Sequence, residues 1–387
     1  MRIQAFLQKS RVLFDGAMGT MIGARGLLDA VPETLCMSHP DAIRAIHESY
    51  VAAGANVISA NTFGAHPVKL GRLGLGERAC ELTAAAVALA VEACRQKPTD
   101  TPLTALDVGP TGELIAPLGS LDFDEAVAGY RLIAQAARDA GADVALLETF
   151  GDIAEARAAM LGVGQAGLPI MASFTFEGAR MLMGGTPETA ALSAMATGAA
   201  AVGLNCSQGP DAMGARLSAM RAVVPLPVFV QPNAGIPHME DGKTVFPLSA
   251  CCMAPAMEEL LRLGAWGIGG CCGTSPEHIA HMAALLGAFS APSPAYDGIE
   301  RVCSQREVMP LDQAIACAED VTADIDDIMD AEGDVLRVDM RGLPDAAVAE
   351  FLSEAQQMTK KPLLFRMQEE RAALATRYYH GKTVVIS

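Results

Sequence analysis

The sequence lacks the features that mark a membrane protein or a secreted protein. Its longest apolar runs are interrupted by Gly, Pro or charged residues well before the roughly 18 residues that a membrane-spanning helix needs. Residues 1–16 contain only a short apolar patch and no small-residue cleavage site, which is not the pattern of a signal peptide. We therefore expect no membrane partner and a cytoplasmic location, where disulfides are rare.

Positive charge is also scarce. The chain has 28 Lys and Arg against 45 Asp and Glu, and its formal net charge is −17. Such a chain repels nucleic acid backbones and anionic membrane surfaces at long range. We therefore expect no nucleic acid partner. The charge suits a small neutral or zwitterionic molecule, or a protein with a basic patch.

The chain is long enough for one large domain and a smaller one, with 387 residues of which 51% are hydrophobic. Short β-like runs alternate with longer helical patterns, and eight such units favour an α/β fold of the (β/α)8 TIM barrel type. A doubly wound sheet is the alternative, but the glycine-rich fingerprint that it needs after its first strand is missing. The predicted strands are residues 12–15, 56–63, 103–109, 143–150, 169–176, 201–206, 227–233 and 267–272.

The composition changes after the predicted barrel. Residues 290–294 are rich in Pro, Ser and Ala, which indicates a linker. Residues 312–334 carry nine acids and no Lys or Arg, and alternating strand and helix patterns follow. We predict a barrel at residues 1–289, a linker at 290–311 and a small βαβαβ extension of unknown role at 312–387.

Polar and sulfur-containing residues fall where the predicted strands end, while the strand interiors are apolar. In a TIM barrel, the functional side chains gather at these carboxyl ends. Three of the ten cysteines lie there. The candidate functional residues are Asp15, Gly16, Asn61, Thr62, Glu148, Cys206, Asn233, Cys271 and Cys272.

The last strand ends in the sequence GIGGCCGT, residues 267–274. Adjacent side chains of a regular strand point to opposite faces, so both thiols can reach one ion only if the backbone leaves the extended form. Glycines permit this change. If Cys206 joins Cys271 and Cys272, three thiolates and one open position make a typical zinc site that binds its substrate directly.

Ordinary structural roles remain the alternative for several of these residues. Asp15 and Glu148 are also suited to cap the helices that follow them. His278 and His281 lie three residues apart and are expected on a solvated helix face rather than at a metal. The other cysteines, including the pair Cys251 and Cys252, are expected to pack as small hydrophobic residues.

Seven segments of the chain carry a family resemblance. They resemble the homocysteine S-methyltransferase family, and are most similar to the N-terminal homocysteine-binding module of cobalamin-dependent methionine synthase. The resemblance covers about residues 1–290, with motifs on seven of the eight strands in the same order. The motifs are FDGAMGT (14–20), NTFGA (61–65), DVGPTGE (107–113), LLETF (146–150), GLNCSQGP (203–210), QPNAGIP (231–237) and GGCCGTSPEH (269–278).

The resemblance implies a zinc-bearing barrel and assigns roles to the candidate residues. Its three cysteine ligands correspond to Cys206, Cys271 and Cys272. Its acidic residues that hold the substrate amino group correspond to Glu148, with Asp15 nearby. We hypothesise that Asn233, beside the metal, supplies an oxygen ligand when substrate is absent. The other implied substrate contacts are Gly16, Thr20, Asn61 and Thr62.

The resemblance also implies the reaction. Homocysteine binds zinc through its thiol, loses the thiol proton and attacks a methyl group, which gives methionine. The glycines around Cys271 and Cys272 would leave room for a bulky donor. The chain has no D-x-H-x-x-G cobalamin motif, so we expect methylcobalamin carried on a separate corrinoid protein. S-methylmethionine or a betaine-like donor is the alternative, as is a non-catalytic partner subunit of a split methionine synthase.

The C-terminal extension resembles the opening of a pterin-binding barrel in two segments, RVDMRG (337–342) and HGKTVVIS (380–387). The G-E-R-[TN]-N opening of that family is absent from this sequence. Half a barrel cannot close its sheet, so we do not expect it to bind folate. We expect it to dock the corrinoid protein or to pack on the first barrel.

Overall fold

The computed structural model describes residues 2–27, 31–240 and 243–386. Eight parallel strands form one sheet in the order β1-β10-β7-β6-β5-β4-β3-β2, and a parallel bridge between Phe14 and Val57 joins its two edges. The predicted TIM barrel is therefore confirmed. Its strands are β1 (Val12–Leu13), β2 (Val57–Ser59), β3 (Leu103–Val108), β4 (Val144–Phe150), β5 (Ile170–Phe174), β6 (Ala201–Asn205), β7 (Val228–Gln231) and β10 (Gly267–Ile268). A hairpin of β8 (His238–Glu240) and β9 (Lys243–Val245) lies in the loop after β7.

Helices follow the strands and cover the outside of the barrel. Helix α7 shows the local signals well, since Asp122 accepts hydrogen bonds from the N–H groups of Asp124 and Glu125, and Gly141 ends the helix at φ 104°. No helix of the described residues has the length and apolarity of a membrane span. The helices are α1 (Arg2–Leu7), α2 (Met18–Gly23), α3 (Leu35–Ser38), α4 (Pro40–Ala52), α5 (Pro67–Gly71), α6 (Ala79–Arg95), α7 (Phe123–Ala140), α8 (Ile153–Gln165), α9 (Pro187–Ala196), α10 (Gly214–Val223), α11 (Ala250–Arg262) and α12 (Pro276–Leu286).

The barrel interior is apolar at its lower end and polar at its upper end. Alternate strand residues, such as Leu103 and Ala105 of β3, form a buried apolar cluster inside the barrel. Helix α1 closes the bottom, where Phe6 and Trp266 make an edge-to-face contact at 6.1 Å. Because side chains alternate along a strand, the next interior residue of β3 is Asp107. Polar groups therefore begin where the strands end, which places a site at this end of the barrel.

The C-terminal extension is a parallel sheet in the order β13-β14-β15-β16, preceded by an antiparallel hairpin of β11 and β12. The predicted βαβαβ unit is present, and β13 and α14 precede it within the acidic segment. Alternate residues of β13 are exposed, so its sequence has no apolar run that would reveal a strand. The elements are β11 (Arg301–Cys303), β12 (Val308–Pro310), α13 (Leu311–Cys317), β13 (Glu319–Thr322), α14 (Ile325–Asp330), β14 (Leu336–Asp339), α15 (Asp345–Met358), β15 (Leu363–Arg366), α16 (Ala372–Tyr378) and β16 (Val385–Ile386).

Two observations bear on how the extension joins the barrel. The hairpin of β11 and β12 lies within residues 290–311, the segment interpreted as a linker, although the predicted domain boundaries themselves stay predictions. The extension packs on the outer helices α8 and α9. The buried Arg157 of α8 donates to the carbonyl of Arg377 at 3.0 Å, and Ser193 of α9 donates to the carbonyl of His380 at 2.6 Å.

Candidate active site

Three cysteines converge at the carboxyl end of the barrel. The Sγ atoms of Cys206, Cys271 and Cys272 lie within 4.8 Å of one another. Cys206 comes from the loop after β6, and the adjacent pair comes from the loop after β10. Among the described residues, no other group of three Cys, His, Asp or Glu side chains comes together in this way. The structure therefore brings together the three sulfurs that the sequence analysis selected.

The backbone around the cysteines is strained and tightly joined. Cys206 and Ser207 adopt φ angles of 60° and 57°, in the left-handed region that non-glycine residues rarely enter. Such strain persists where surrounding contacts hold it, often at functional sites. Here the N–H of Cys271 donates to the carbonyl of Pro232 at 2.9 Å, and the carbonyl of Cys272 accepts from Ala234 at 2.9 Å. The loops after β7 and β10 thus hold one another in place.

The glycines beside the cysteine pair allow close packing of protein atoms. A Cβ on Gly270 would lie 2.3 Å from Oγ1 of Thr274, and one on Gly269 would lie 2.6 Å from Cβ of Phe14. A Cβ on Gly273, at φ 82°, would lie 2.2 Å from the Phe246 ring. The expectation that these glycines leave room for a methyl donor is therefore wrong, because protein atoms occupy that space.

The three thiols hold negative charge unequally in the metal-free protein. Hydrogen bonds from Cys271 and Cys272 lower the pKa of Cys206 to about 3, against the opposing effect of burial. The same contact with Cys206 raises the pKa of the other two thiols. Cys206 is thus the first of the three to ionise. A cluster with one thiolate and two neighbouring thiols is a soft donor set that suits a thiophilic cation.

Asn233 lies beside this cluster and has a free acceptor. Its side chain is 3% exposed, and its Oδ1 has no hydrogen-bond partner. Its amide also lowers the pKa of Cys206, which places the side chain next to that sulfur. In a tetrahedral zinc site with Zn–S bonds of about 2.3 Å, the sulfurs lie about 3.8 Å apart. The sulfur spacing and the unpaired oxygen therefore fit a metal ion.

The histidines and the second cysteine pair take no part in the cluster. His278 is buried, and its ring contacts Ser275 at 2.9 Å and the carbonyl of Leu248 at 3.0 Å. The expected solvated position is thus right for His281, which is exposed, and wrong for His278, which joins two loops. Cys251 and Cys252 are both exposed, so the expectation that they pack in the interior is also wrong.

A cavity of about 300 Å³ opens beside the cysteines. Glu33, Asp107 and Glu148 place carboxylates on its wall together with Asp15, and Phe63 supplies an aromatic surface. Most of the sequence-predicted residues line it, with Thr62 and Asn233 as the exceptions. Those that do are Asp15, Gly16, Thr20, Asn61, Glu148, Cys206, Cys271 and Cys272.

Glu148 faces the cavity next to the cysteines. Burial first, and then the charges of Cys206 and Asp15, raise the pKa of Glu148 to about 8. Thr149 follows at φ 64°, and Asn205 fixes it by accepting from its N–H at 2.8 Å and donating to its Oγ1 at 2.7 Å. This strained turn fixes the backbone next to Glu148. Asp152 is the residue that caps the following helix, so the capping alternative for Glu148 is wrong.

Asp15 is held by the neighbouring strand. Its carboxylate accepts from the N–H of Ser59 at 2.7 Å and from the Ser59 hydroxyl at 2.9 Å. Burial raises the pKa of Asp15 to about 7. The next helix has Ala17 at its N-cap, without a side-chain hydrogen bond. Asp15 therefore is not a helix cap, and its carboxylate belongs to the cavity wall.

The sequence profile described as homocysteine S-methyltransferase matches residues 12–286. The chain belongs to this family. The resemblance that the motifs suggested is therefore confirmed, and the cysteine cluster and the cavity lie within the matched residues.

Two curated relatives are methionine synthases. That of Mycobacterium tuberculosis is 31% identical over 325 residues, covering 80% of this chain and 27% of that protein. That of Mycobacterium leprae is 31% identical over 289 residues, covering 70% and 24%. The chain spans about a quarter of the length of these relatives.

The solved structures include the homocysteine methyltransferase MmuM from Escherichia coli. Its metallated form is 26% identical with a TM-score of 0.62, and the match covers 73% of this chain and 99% of that chain. Its apo form is 27% identical with a TM-score of 0.58, covering 72% and 97%. The match therefore extends over nearly the whole length of MmuM.

Three residues of the homocysteine S-methyltransferase motifs hold the loops around the cavity. Thr20 accepts from the N–H of Gly273 at 3.0 Å, and Asn61 donates to the carbonyl of Pro32 at 2.6 Å. A Cβ on Gly16 would lie 2.7 Å from Oγ1 of Thr274. These three residues line the cavity, and their contacts with substrate stay predictions.

Thr62 does not reach the cavity, and the residue that it holds was missed. Its hydroxyl donates to the carbonyl of Asp107 at 2.8 Å and accepts from the N–H of Asp107 at 3.0 Å. Asp107 lines the cavity and stands at the end of the third predicted strand, so its position was a usable signal. Glu33 also lines the cavity, but it comes from a short 3₁₀ helix, Pro32–Thr34, that no strand pattern locates.

Proposed function

We propose that this chain transfers a methyl group to the thiol of homocysteine, giving methionine, at a zinc ion held by Cys206, Cys271 and Cys272. The observation that carries the proposal is the convergence of these three sulfurs beside a carboxylate-lined cavity. Membership in the homocysteine S-methyltransferase family supports the reaction class. The metallated form of MmuM supports a metal in this fold.

A zinc ion on three thiolates would lower the pKa of the substrate thiol, so that homocysteine binds as the nucleophilic thiolate at neutral pH. Three protein thiolates leave the site with net negative charge, which keeps electron density on the substrate sulfur. Asn233 has a free oxygen beside the cluster. We propose that this oxygen completes the metal site until homocysteine arrives.

Glu148 is the residue best placed to bind the amino group of homocysteine. Its charge raises the pKa of Cys271 and of Cys272, so its carboxylate lies close to the sulfurs. A substrate that places its thiol at the cysteines would therefore place its ammonium group at Glu148, with Asp15 nearby. The sulfur lone pair then forms the new S–CH₃ bond, while the bond to the leaving group breaks and its electron pair leaves with that group.

As donor we propose methylcobalamin carried on a separate corrinoid protein. The two curated relatives are methionine synthases, of which this chain matches only about a quarter. Leu182, Ile236 and Met239 are exposed in the connections after β5 and β7, which follow the carboxyl ends of barrel strands. Exposed apolar side chains at this end of the barrel suit contact with a protein partner. We also expect a cytoplasmic location, where such a partner would be present.

A small-molecule donor such as S-methylmethionine, or a betaine-like compound, is the second candidate. The match to MmuM favours it, because this barrel covers 99% of a homocysteine methyltransferase that is a single barrel-sized chain. A third candidate function is that of a partner subunit of a split methionine synthase. Such a subunit would bind homocysteine but would not form methionine by itself.

A donor screen with homocysteine as acceptor tests these candidates, with the zinc content of the protein measured in the same preparation. We expect about one zinc per chain and methionine formation with methylcobalamin, both lost in Cys206→Ala and kept in Cys252→Ala. If S-methylmethionine is the one donor that supports turnover, it takes the place of methylcobalamin as the proposed donor. Zinc binding without methionine from any donor would favour the partner subunit, and a zinc-free active protein would overturn the proposal.

A further inference from the structure

Asp107 is a buried acceptor that nothing in the described protein satisfies. Its side chain is 8% exposed, and its Oδ1 has no hydrogen-bond partner. Leaving such a group unpaired costs free energy, so native proteins rarely do so without a reason. Asp107 also lines the cavity. Its carboxylate is therefore available to a donor that enters the cavity.

The backbone around Asp107 holds this carboxylate in place. The hydroxyl of Thr62 contacts both the N–H and the carbonyl of Asp107, which ties β3 to the loop after β2. Below Asp107, Leu103 and Ala105 fill the barrel interior. Because side chains alternate along β3, Asp107 points to the same interior side. The carboxylate thus forms part of the cavity lining, next to the apolar interior.

Asp107 lies within a group of charged side chains at the cavity. Burial and the charges of Glu148, Asp15 and Glu33 raise the pKa of Asp107, and Lys69 lowers it. The Nζ of Lys69 lies 4.6 Å from the centroid of the Phe63 ring, which lines the cavity. Lys69 thus offsets part of the rise in pKa that burial and the three neighbouring carboxylates cause.

A second unpaired acceptor shares the cavity wall. Gln231 is 2% exposed, lines the cavity and has no partner for its Oε1. Glu148 also makes no hydrogen bond with its carboxylate among the described residues. These three side chains place oxygens on the cavity wall for which the described residues supply no hydrogen-bond donor. An ammonium group has three N–H donors and a positive charge, so it satisfies such a set.

We propose that Asp107 is a specificity-determining residue that accepts a hydrogen bond from the ammonium group of the acceptor amino acid, together with Glu148. It thereby selects amino-acid thiols over simple thiols. This inference rests on the proposed function, since it takes homocysteine as the acceptor. A site built to hydrogen-bond a substrate group rejects the analogue that lacks it, because the site's own polar groups are then left unpaired.

The test compares homocysteine with its analogue that lacks the amino group, mercaptobutanoate, in wild type and in Asp107→Asn. We expect the preference for homocysteine in kcat/KM to fall about 10- to 100-fold, mainly through KM, because a hydrogen bond to a charged group is lost. Use of mercaptobutanoate should stay the same or improve. An equal loss of kcat/KM for both thiols would overturn the inference and would indicate that Asp107 has a structural role.

Calorimetric binding of the two thiols to the zinc-loaded protein separates this inference from the proposed function. If wild type binds homocysteine but forms no methionine with any donor, the proposed function fails, while the binding ratio still decides the role of Asp107. Binding of both thiols with equal affinity in wild type would overturn the inference. No binding of either thiol would overturn both proposals.

Two further variants guard against effects on folding. Asp143→Asn removes a carboxylate at the opposite end of the barrel, which accepts from the N–H of Thr104 at 2.9 Å. It should lower thermal stability without changing the thiol preference. Thr62→Val keeps the Asp107 carboxylate and removes the contacts that hold it. A smaller loss of preference in this variant supports the inference, and an unchanged preference counts against it, even if Asp107→Asn does not fold.

Discussion

The molecule contains the same dipeptide twice, in two settings. Cys271 and Cys272 lie in the loop after β10, and their sulfurs lie close to that of Cys206. Cys251 and Cys252 begin helix α11, where both are exposed and their Sγ atoms lie 4.0 Å apart. The chemistry of the thiols is the same in both pairs. The difference is that the first pair stands at the end of the sheet where a third sulfur arrives from another strand.

The largest expected effect is a difference in zinc binding between the two cysteine pairs. Cys271→Ala should lower zinc affinity by more than about 100-fold and abolish methionine formation. Loss of a residue that only hydrogen-bonds to a metal ligand lowers metal affinity about 10- to 100-fold, and loss of a direct ligand should lower it further. Zinc content after dialysis and methionine formation measure it. Cys252→Ala is the matched control and should retain both. Equal zinc retention in the two variants would refute the assignment of the cluster.

The next effect concerns the glycines that set the first pair apart. Gly270→Ala should destabilise the protein by about 1–3 kcal/mol, because its Cβ would overlap Thr274. Denaturant unfolding of the metal-free protein measures the change. Gly287→Ala is the control, since no atom lies within 4 Å of the added Cβ. A Gly270→Ala variant as stable as wild type would show that the loop relaxes easily.

A smaller effect is expected at Asn233, which only the first pair has as a neighbour. Asn233→Ala should lower zinc affinity about tenfold in the absence of homocysteine. The difference should shrink when homocysteine is present, because the substrate thiol would then take the place of the amide oxygen. Competition with a chelator measures both affinities. The same loss with and without homocysteine would contradict a role limited to the resting site.

The smallest effect is expected at the second pair. The double variant Cys251→Ser with Cys252→Ser should change the free energy of unfolding by no more than about 0.5 kcal/mol, as is usual at exposed positions. Alkylation followed by peptide mapping gives a further comparison. Zinc should protect Cys271 from the reagent and leave Cys251 reactive. Protection of both pairs by zinc would show that the second pair also binds metal.

Much of the fold could be predicted from local patterns. The eight barrel strands were found because each has an apolar run that ends in Gly, Pro or polar residues. Strand β13 was missed, since half of its residues are exposed and two of its four are acids. An exposed edge strand depends on its neighbour for its conformation, and its own sequence carries little signal.

The candidate site was predicted only in part. The carboxyl ends of the barrel strands lie together at one end of the barrel. This rule was enough to predict that the cysteines and Glu148 belong to one site. The same rule also points to Asp107, which the sequence analysis missed. The sequence analysis placed Thr62 at the cavity, whereas the Thr62 hydroxyl hydrogen-bonds to the backbone of β3. Thr274 and Glu33 come from loops whose paths depend on long-range packing. No local pattern fixes such a path.

The sequence by itself determined the order of strands and helices, the closed parallel sheet and the end of the barrel that bears the chemistry, because these follow from alternating hydrophobicity and from chain connectivity. Only the tertiary structure decided which cysteine pair meets a third sulfur, what the glycines touch, and that Asp107 remains without a partner. These properties are distances between residues far apart in the chain. They depend on how loops from different strands pack, which a linear pattern does not encode.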